Sequence, residues 1–303
     1  MDFRQLEYII AIADEHTLLA ASKKLFLSPS ALSQHISRLE EELGTPLFKR
    51  TKQGWTPTHA GQIYIDMAQQ ILEKQKRAYL QIRDIADNKT GRFNVGVTAG
   101  RGTLMFSVVF PKFHNAFPDV KIGLFEGTVR EICEQISAGK VDVGFITGIA
   151  EHPNITTMYQ ATEDIVLVVP KTHPHAYLAN EQFENDFPTI HLQQFENDEF
   201  LLAGEGTTLR TLENNLFSQA GFTPKVAFET PSLLTLNMLS KGGYGLAFIP
   251  YFYADPTSDA VYFRTEPAAS WELVAAYQKG HYLTKAERHM IKLVTDYYNT
   301  PHH

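Results

Sequence analysis

The chain has 303 residues, 44% of them hydrophobic, enough for packed cores in two or three domains. No run of about 18 apolar residues offers a membrane span, no basic-then-apolar leader opens the chain, and one cysteine excludes an internal disulfide framework; a cytoplasmic protein is expected. The net charge of −7 divides unevenly, residues 1–92 holding 13 Lys and Arg against 11 Asp and Glu and the rest 14 against 23, which suits a nucleic-acid-facing end and an acidic remainder that nucleic acid repels.

Leu18, Leu19, Ala21 and Leu25 recur at helical spacing before Leu27-Ser28-Pro29 interrupts them. Ser28 is a good N-cap and Pro29 suits the first helical position. Ala31, Leu32, Ile36, Leu39 and Leu43 then give the apolar face of a helix over residues 29–43. Ser30, Ser33, Gln34 and Ser37 fall away from that face, with Arg38 at its border. Short hydrogen-bonding groups near a helix N-terminus are what a DNA major groove admits, so the pattern predicts a helix-turn-helix with this as its recognition helix. A plain helical hairpin with solvated serines is the alternative.

Gly44-Thr45-Pro46 stops the helix, and Leu47-Phe48-Lys49-Arg50 begins an extended segment. Residues 51–57 read as a two-stranded turn with Gly54 at its tip, a wing on which Lys49, Arg50 and Lys52 are placed to neutralise phosphates. The expected DNA-binding residues are therefore Ser28, Pro29, Ser30, Ser33, Gln34, Ser37, Arg38, Arg50, Lys52 and Gln53.

Residues 3–61 resemble, without a gap, the N-terminal domain of LysR-type transcriptional regulators. The densest parts are Ala20-Ala21, Ser30-Ala31-Leu32-Ser33, Leu39-Glu40 and Leu43-Gly44-Thr45-Pro46-Leu47-Phe48, and Thr58-His59-Ala60-Gly61 closes the match. A frequent family pattern has Gln, then Pro or Ser, after the capping serine. Pro29-Ser30 stands here, and Pro29 has no side-chain donor, so a base contact that many relatives make is missing. The resemblance implies double-stranded promoter DNA as partner, a homodimer or homotetramer, and RNA polymerase as a further partner.

Residues 58–88 read as one long helix capped by Thr58. Tyr64, Ala68, Ile71, Gln75, Ala78, Ile82 and Ile85 alternate in steps of four and three, a coiled-coil seam. The resemblance implies that two such linker helices pair antiparallel and hold two winged domains apart; the other reading packs the helix on its own C-terminal domain. Lys89-Thr90-Gly91-Arg92 is read as a hinge.

Beyond it the texture is α/β. Strands are expected at 93–98, 120–126 and 141–147, with helices at 104–117 and 129–138; a second set has strands at 199–202, 226–229 and 245–249 and helices at 208–219 and 233–241. Residues 164–170 look like a crossing strand, 271–279 like its return, and 284–299 like a final helix. Two α/β lobes joined by two crossings make a hinged cleft. This part resembles the effector domain of the same regulators, with the architecture of type 2 periplasmic binding proteins, on Gly139-Lys140-Val141-Asp142-Val143-Gly144, Leu167-Val168-Val169-Pro170 with His173-Pro174, and the run from Gly242 to Pro250.

In that fold the cleft is lined by strand-to-helix loops, here rich in Gly, Thr and Ser, whose helix N-termini favour an anion. The expected effector-binding residues are Thr98, Gly100, Arg101, Thr103, Thr128, Thr147, Gly204, Thr207, Thr230 and Ser232, with Arg101 as counter-charge to a small carboxylate. For any one of them, ordinary helix capping is the competing role.

Cys133 lies on the apolar face of a helix and reads as a core residue, since a redox switch needs a second thiol. His173 and His175 show no third ligand, so neither a metal nor any other cofactor is expected. No nucleophile elbow, P-loop or GxGxxG is present, and an enzyme is not expected. The expected organisation is a winged helix-turn-helix over 1–58, a linker helix over 59–90, and an effector domain over 91–303, with lobe I at 91–163 and 266–303 and lobe II at 164–265. The function implied is a sequence-specific DNA-binding regulator controlled by a small anionic metabolite; a sensor or carrier with little DNA-binding activity is the alternative.

Overall fold

The computed structural model describes residues 2–51, 54–85, 90–148, 152–179, 187–255 and 257–300. The chain divides into two compact units, residues 1–88 and 89–303.

In the first unit, α1 (Phe3–Glu15) starts from a capping box between Asp2 and Gln5 and buries Leu6, Ile9 and Ile12. Thr17 caps α2 (Leu18–Lys24). Ser28 caps α3 (Pro29–Leu43), with Pro29 in its first turn and Gly44 closing it in the left-handed region at φ 69°, so this helix has the bounds its caps predict. Leu32, Ile36 and Leu39 join Ile9, Ile12, Ala21, Leu47 and Phe48 in one core.

The wing is β1 (Phe48–Thr51) paired antiparallel with β2 (Gly54–Pro57). Gly54 is the first residue of β2 rather than the tip of the turn. Its φ is 110°, and a β-carbon there would lie 2.3 Å from the His16 carbonyl oxygen. That same oxygen accepts the Trp55 N–H at 2.7 Å, so glycine lets the wing lie against the end of α1. On the other side, Glu40 of α3 accepts from the amides of Leu47 and Phe48 at 2.6 and 3.1 Å.

The linker helix α4 (His59–Ile85) starts where the Thr58 hydroxyl accepts from the Gly61 amide. Its seam is divided. Ile65 is buried in the core of its own unit with Tyr64 packed against it, and Ala68 is fully buried. Gln75 is half-buried and Ala78 exposed, Ile82 is 60% exposed, and the Ile85 side chain lies outside the described residues. Only the later turns therefore offer an apolar stripe to a second helix.

In the second unit, β3 (Gly91–Thr98), α5 (Arg101–Ala116), β4 (Val120–Gly127), α6 (Val129–Ser137) and β5 (Val143–Thr147) form a parallel βαβαβ set. The long β6 (Ile155–Pro170) follows. Then come β7 (Thr189–His191), β8 (Glu199–Ala203), α7 (Thr208–Ala220), β9 (Lys225–Thr230), α8 (Leu233–Lys241), β10 (Leu246–Pro250), β11 (Ala260–Glu266), β12 (Ser270–Gln278) and α9 (Lys285–Asn299). Strand order is β4-β3-β5-β12-β6-β10-β8-β9, with β11 between β6 and β7. β6 pairs with β12 from Ile155 to Asp164 and with β10 from Ile165, so one strand serves both lobes.

Three expectations need correction. α5 begins at Arg101, three residues early, because Gly100 at φ 75° turns the chain into it without a side-chain cap. β6 begins nine residues before the expected strand; residues 156–159 are partly exposed and lack alternation, and their pairing with β12 holds them extended. β7 and β11 were not foreseen.

α5 and α9 cover one face of the first lobe's sheet through Phe93, Val95, Phe113, Phe145, Met290 and Val294, while α6 covers the other through Ile132, Cys133 and Ile136. The second lobe packs Leu167, Phe200, Leu209, Phe217, Leu236 and Phe248. At the first lobe's far edge from Thr98 and Thr147, Asp142 accepts from the Asn94 amide at 2.8 Å and Glu287 from the Thr284 amide at 2.7 Å. His281 Nε2 meets Glu287 at 3.1 Å, and ligand atoms of Asp142, His281 and Glu287 all lie within 4.8 Å of one another. This buried trio ties the start of α9 to the sheet.

Candidate nucleic-acid interface and interlobe groove

On α3 the side chains of Ser28, Pro29, Ser30, Gln34, Ser37 and Arg38 are exposed, and Ser33 is half-buried. The Ser28 hydroxyl accepts from the Ala31 amide at 3.1 Å and sits 3.1 Å from the Ser30 hydroxyl, so Ser28 is committed to its helix. Gln34, Ser37 and Arg38 point away from the Leu32–Ile36–Leu39 face, leaving their polar ends for base edges or phosphates. On β1, Lys49 and Arg50 are exposed; Lys52 and Gln53 lie outside the described residues.

In the second unit an open groove of about 1430 Å³ runs between the lobes. One wall is α6, with Val129, Arg130, Cys133 and Glu134; the other is the start of α7, with Gly206, Thr207, Thr208 and Thr211. Ser270, Trp271 and Glu272 of β12 and Gly148 after β5 form the floor. Val129 and Arg130 at the start of α6 and Thr208 at the start of α7 line this space, and first-turn N–H groups have no acceptor inside their own helices, so two helix starts lie at the groove. The Thr147 hydroxyl donates to that of Thr208 at 3.1 Å, joining the end of β5 in one lobe to the start of α7 in the other.

Of the ten expected effector-binding residues, Thr207 lines the groove, with its hydroxyl spent on Gly204 O (2.8 Å) and the Arg210 amide (3.2 Å). Thr147 touches it through Thr208. Thr128 caps α6, and the Glu131 carboxylate accepts both its amide and its hydroxyl at 2.8 Å, so an internal anion already holds that position. Ser232 caps α8 and Thr230 accepts from the Ser232 amide, while Gly204 packs against Pro231; all three are spent on local turns. Thr98 is half-buried beside Gly102, the Thr103 hydroxyl is buried among the α5 packing, and Gly100 lies under the Tyr253 hydroxyl.

Arg101 is the main correction. It is 7% exposed, and its Nε donates to Glu163 at 2.8 Å, so its charge is answered inside the protein. Its guanidinium lies 4.3 Å from the Phe252 ring centre and 5.1 Å from that of Tyr298. Burial pushes the Glu163 carboxyl up, opposed by Arg101 and by the Trp271 indole, which donates to Glu163 at 2.9 Å. The cation exposed at the groove is Arg130, with Glu134 a loose 3.8 Å away. Trp271 and Glu272 also escaped sequence reasoning. Their one signal was position, at the start of the returning strand where it passes between lobes.

Cys133 is buried at the groove wall, and burial pushes its thiol up. His173 is structural: its Nδ1 accepts from the His175 amide, and its Nε2 lies 3.1 Å from Asp198.

Residues 3–62 match the family described as bacterial regulatory helix-turn-helix protein, lysR family, and residues 86–299 match the LysR substrate binding domain. The transcriptional dual regulator GltC of Bacillus subtilis is 28% identical, over 82% of this chain and 81% of its own. A hydrogen peroxide-inducible genes activator of Haemophilus influenzae is 26% identical, over 82% and 80%. A full-length OxyR variant of Pseudomonas aeruginosa shares the fold with a TM-score of 0.70 at 21% identity, covering 98% of this chain and 97% of that one.

Proposed function

Because the chain belongs to the LysR family of DNA-binding transcriptional regulators, we propose that it reads a promoter through α3, anchors on phosphates through β1, and responds to a small anionic metabolite in the interlobe groove. The observation that carries the DNA reading is the capped α3 with Ser30, Gln34, Ser37 and Arg38 exposed beside Lys49 and Arg50. The N-terminus of α7 and Arg130 at one groove support an anionic effector, while the start of α6 is already met by Glu131.

Self-association is supported by two apolar edges. The strand path ends in β4 and β9. Leu124 on β4 is exposed with Leu104 and Val108 on α5; Val226 and Phe228 on β9 are exposed with Leu234 and Met238 on α8. A second copy related by a two-fold axis would cover one edge with the other. Homodimer or homotetramer, with RNA polymerase as a further partner, is the assembly we propose. We place its action in the cytoplasm and assign it no catalytic step; among the described residues no helix is long and apolar enough to cross a membrane.

Peroxide sensing through a thiol is not carried over from the relatives so named. This chain has one cysteine, and a buried thiol pushed up by desolvation is a poor nucleophile toward an oxidant. A gel shift with DNA from upstream of the protein's own gene tests the central reading. A salt-sensitive, sequence-specific complex is expected, and binding indifferent to sequence would overturn it.

A further inference from the structure

Between α2 and α3 the chain makes a helix-ending turn in which the Leu27 amide donates to Ser22 O at 2.9 Å and the Phe26 amide to Lys23 O at 3.3 Å. In that motif the residue carrying the second donor adopts positive φ, and glycine or asparagine usually fills it. Here it is Phe26, at φ 55°. Its side chain is 95% exposed, the highest value among the exposed large hydrophobic residues described. A β-branchless aromatic in the left-handed region is strained, and an exposed ring leaves apolar surface in water. Folding gains nothing visible from either. His16, the other non-glycine residue with positive φ among the described residues, differs in that its carbonyl anchors the wing through Trp55.

The position of Phe26 supplies a reason. It stands two residues before Ser28, the cap of α3, and the N-terminal residues of a recognition helix are the ones that meet base edges. Exposed Pro29 follows in the first turn of α3, so the groove-entering end of α3 carries two apolar groups where polar readers are usual. The apolar mark in the major groove is the thymine 5-methyl group.

We propose that Phe26 is a specificity-determining DNA contact, its ring packing on a thymine methyl at the edge of the half-site read by α3. The proposal rests on the DNA-binding reading above and adds a base preference to it. It also explains a ring in a turn that glycine would fit better: the strain of the free protein is offset when the ring leaves water on the duplex.

The test uses the full chain and a duplex that the wild-type protein selects from random sequence. Phe26→Gly and Phe26→Asn suit positive φ, so both should melt at or above the wild-type temperature. Their affinity for the selected duplex should nevertheless fall about tenfold, with relaxed preference at one A·T position. Replacing that thymine by uracil, which lacks only the methyl, should weaken the wild type severalfold and leave Phe26→Gly unchanged. Phe26→Tyr should keep both affinity and preference. Unchanged binding by Phe26→Gly overturns the proposal, and if its transcriptional output still falls, the ring serves a protein partner such as the polymerase. A lowered melting temperature overturns it too, since the ring would then be structural. Failure of the wild type to select any duplex would instead remove the DNA-binding reading itself.

Discussion

Breaking a buried ion pair by removing one partner strands the other, and Arg101 with Glu163 is such a pair. Arg101→Ala leaves a carboxylate among Trp271, Phe252 and Tyr298, so the second unit should lose about 3–5 kcal/mol in urea unfolding followed by tryptophan fluorescence. Combining Arg101→Met with Glu163→Gln should recover most of that loss; a single-mutant loss below about 1 kcal/mol would show the pair to be solvated. Glu213 gives a second residue-scale outcome. It is fully buried on α7, accepts from the Ala203 amide at 3.0 Å, and burial pushes its carboxyl up to about 8. The folded state therefore keeps a proton that the unfolded chain gives up near its ordinary value of 4.5. Stability from this group is full below that value and is lost as pH rises through about 8. Melting temperatures measured from about pH 5 to about pH 8 should fall for the wild type and fall less for Glu213→Gln. Arg101 also shows what sequence cannot reveal. Its place in a strand-to-helix loop suggests a ligand counter-charge, but its partner is 62 positions away and its aromatic neighbours lie beyond residue 250.

Elements were most legible where their signals are local. Ser28, Pro29 and Gly44 bound α3 in sequence as they do in the structure, and the wing follows from the stop at Gly44-Thr45-Pro46. The start of β6 was not legible because pairing with β12, more than a hundred residues later, holds it extended. The linker seam was legible in period but not in occupancy: nothing in its four-three spacing says that Ala68 is already buried within the chain while Ile82 is exposed. The site divides in the same way. The α7 start was visible as Gly206-Thr207-Thr208, whereas Trp271 and Arg130 enter the groove through the tertiary arrangement of β12 and α6. For α3 and β1 the roles separate by chemistry. Gln34→Ala should relax base preference by about 1–3 kcal/mol at one position, because an amide can meet a base edge with two hydrogen bonds. Arg50→Ala should weaken binding to every duplex and reduce the salt slope by about one. If Gln34→Ala keeps full discrimination in a competition gel shift, α3 does not lie in the groove as placed.

At the scale of the whole molecule, the second unit, which carries the groove, holds all of the net negative charge, and the first unit, which carries α3, balances its charges, so the negative charge is kept off the unit proposed to meet DNA. Their coupling is reciprocal: whatever factor the ligand applies to operator affinity, the operator applies to ligand affinity. The bond from Thr147 to Thr208 spans the two lobes at the groove, so a ligand bound there as proposed would meet the contact that joins them. In a Trp55→Phe background, Trp271 is the one tryptophan left to report it. A panel of small carboxylates should include compounds that change this fluorescence. Their methyl esters should bind at least tenfold less well, having lost charge-assisted hydrogen bonds of about 1.5–3 kcal/mol. Arg130→Gln should weaken the carboxylate and leave ligand-free operator binding intact, because Arg130 faces the groove with most of its charge in solvent. Thr128→Val, by contrast, should cost about 1 kcal/mol of α6 stability through its lost cap and leave the ligand response nearly unchanged. If only neutral or cationic compounds move the Trp271 signal, the helix ends at the groove are merely solvated and Glu134 with Glu272 sets the ligand's charge instead.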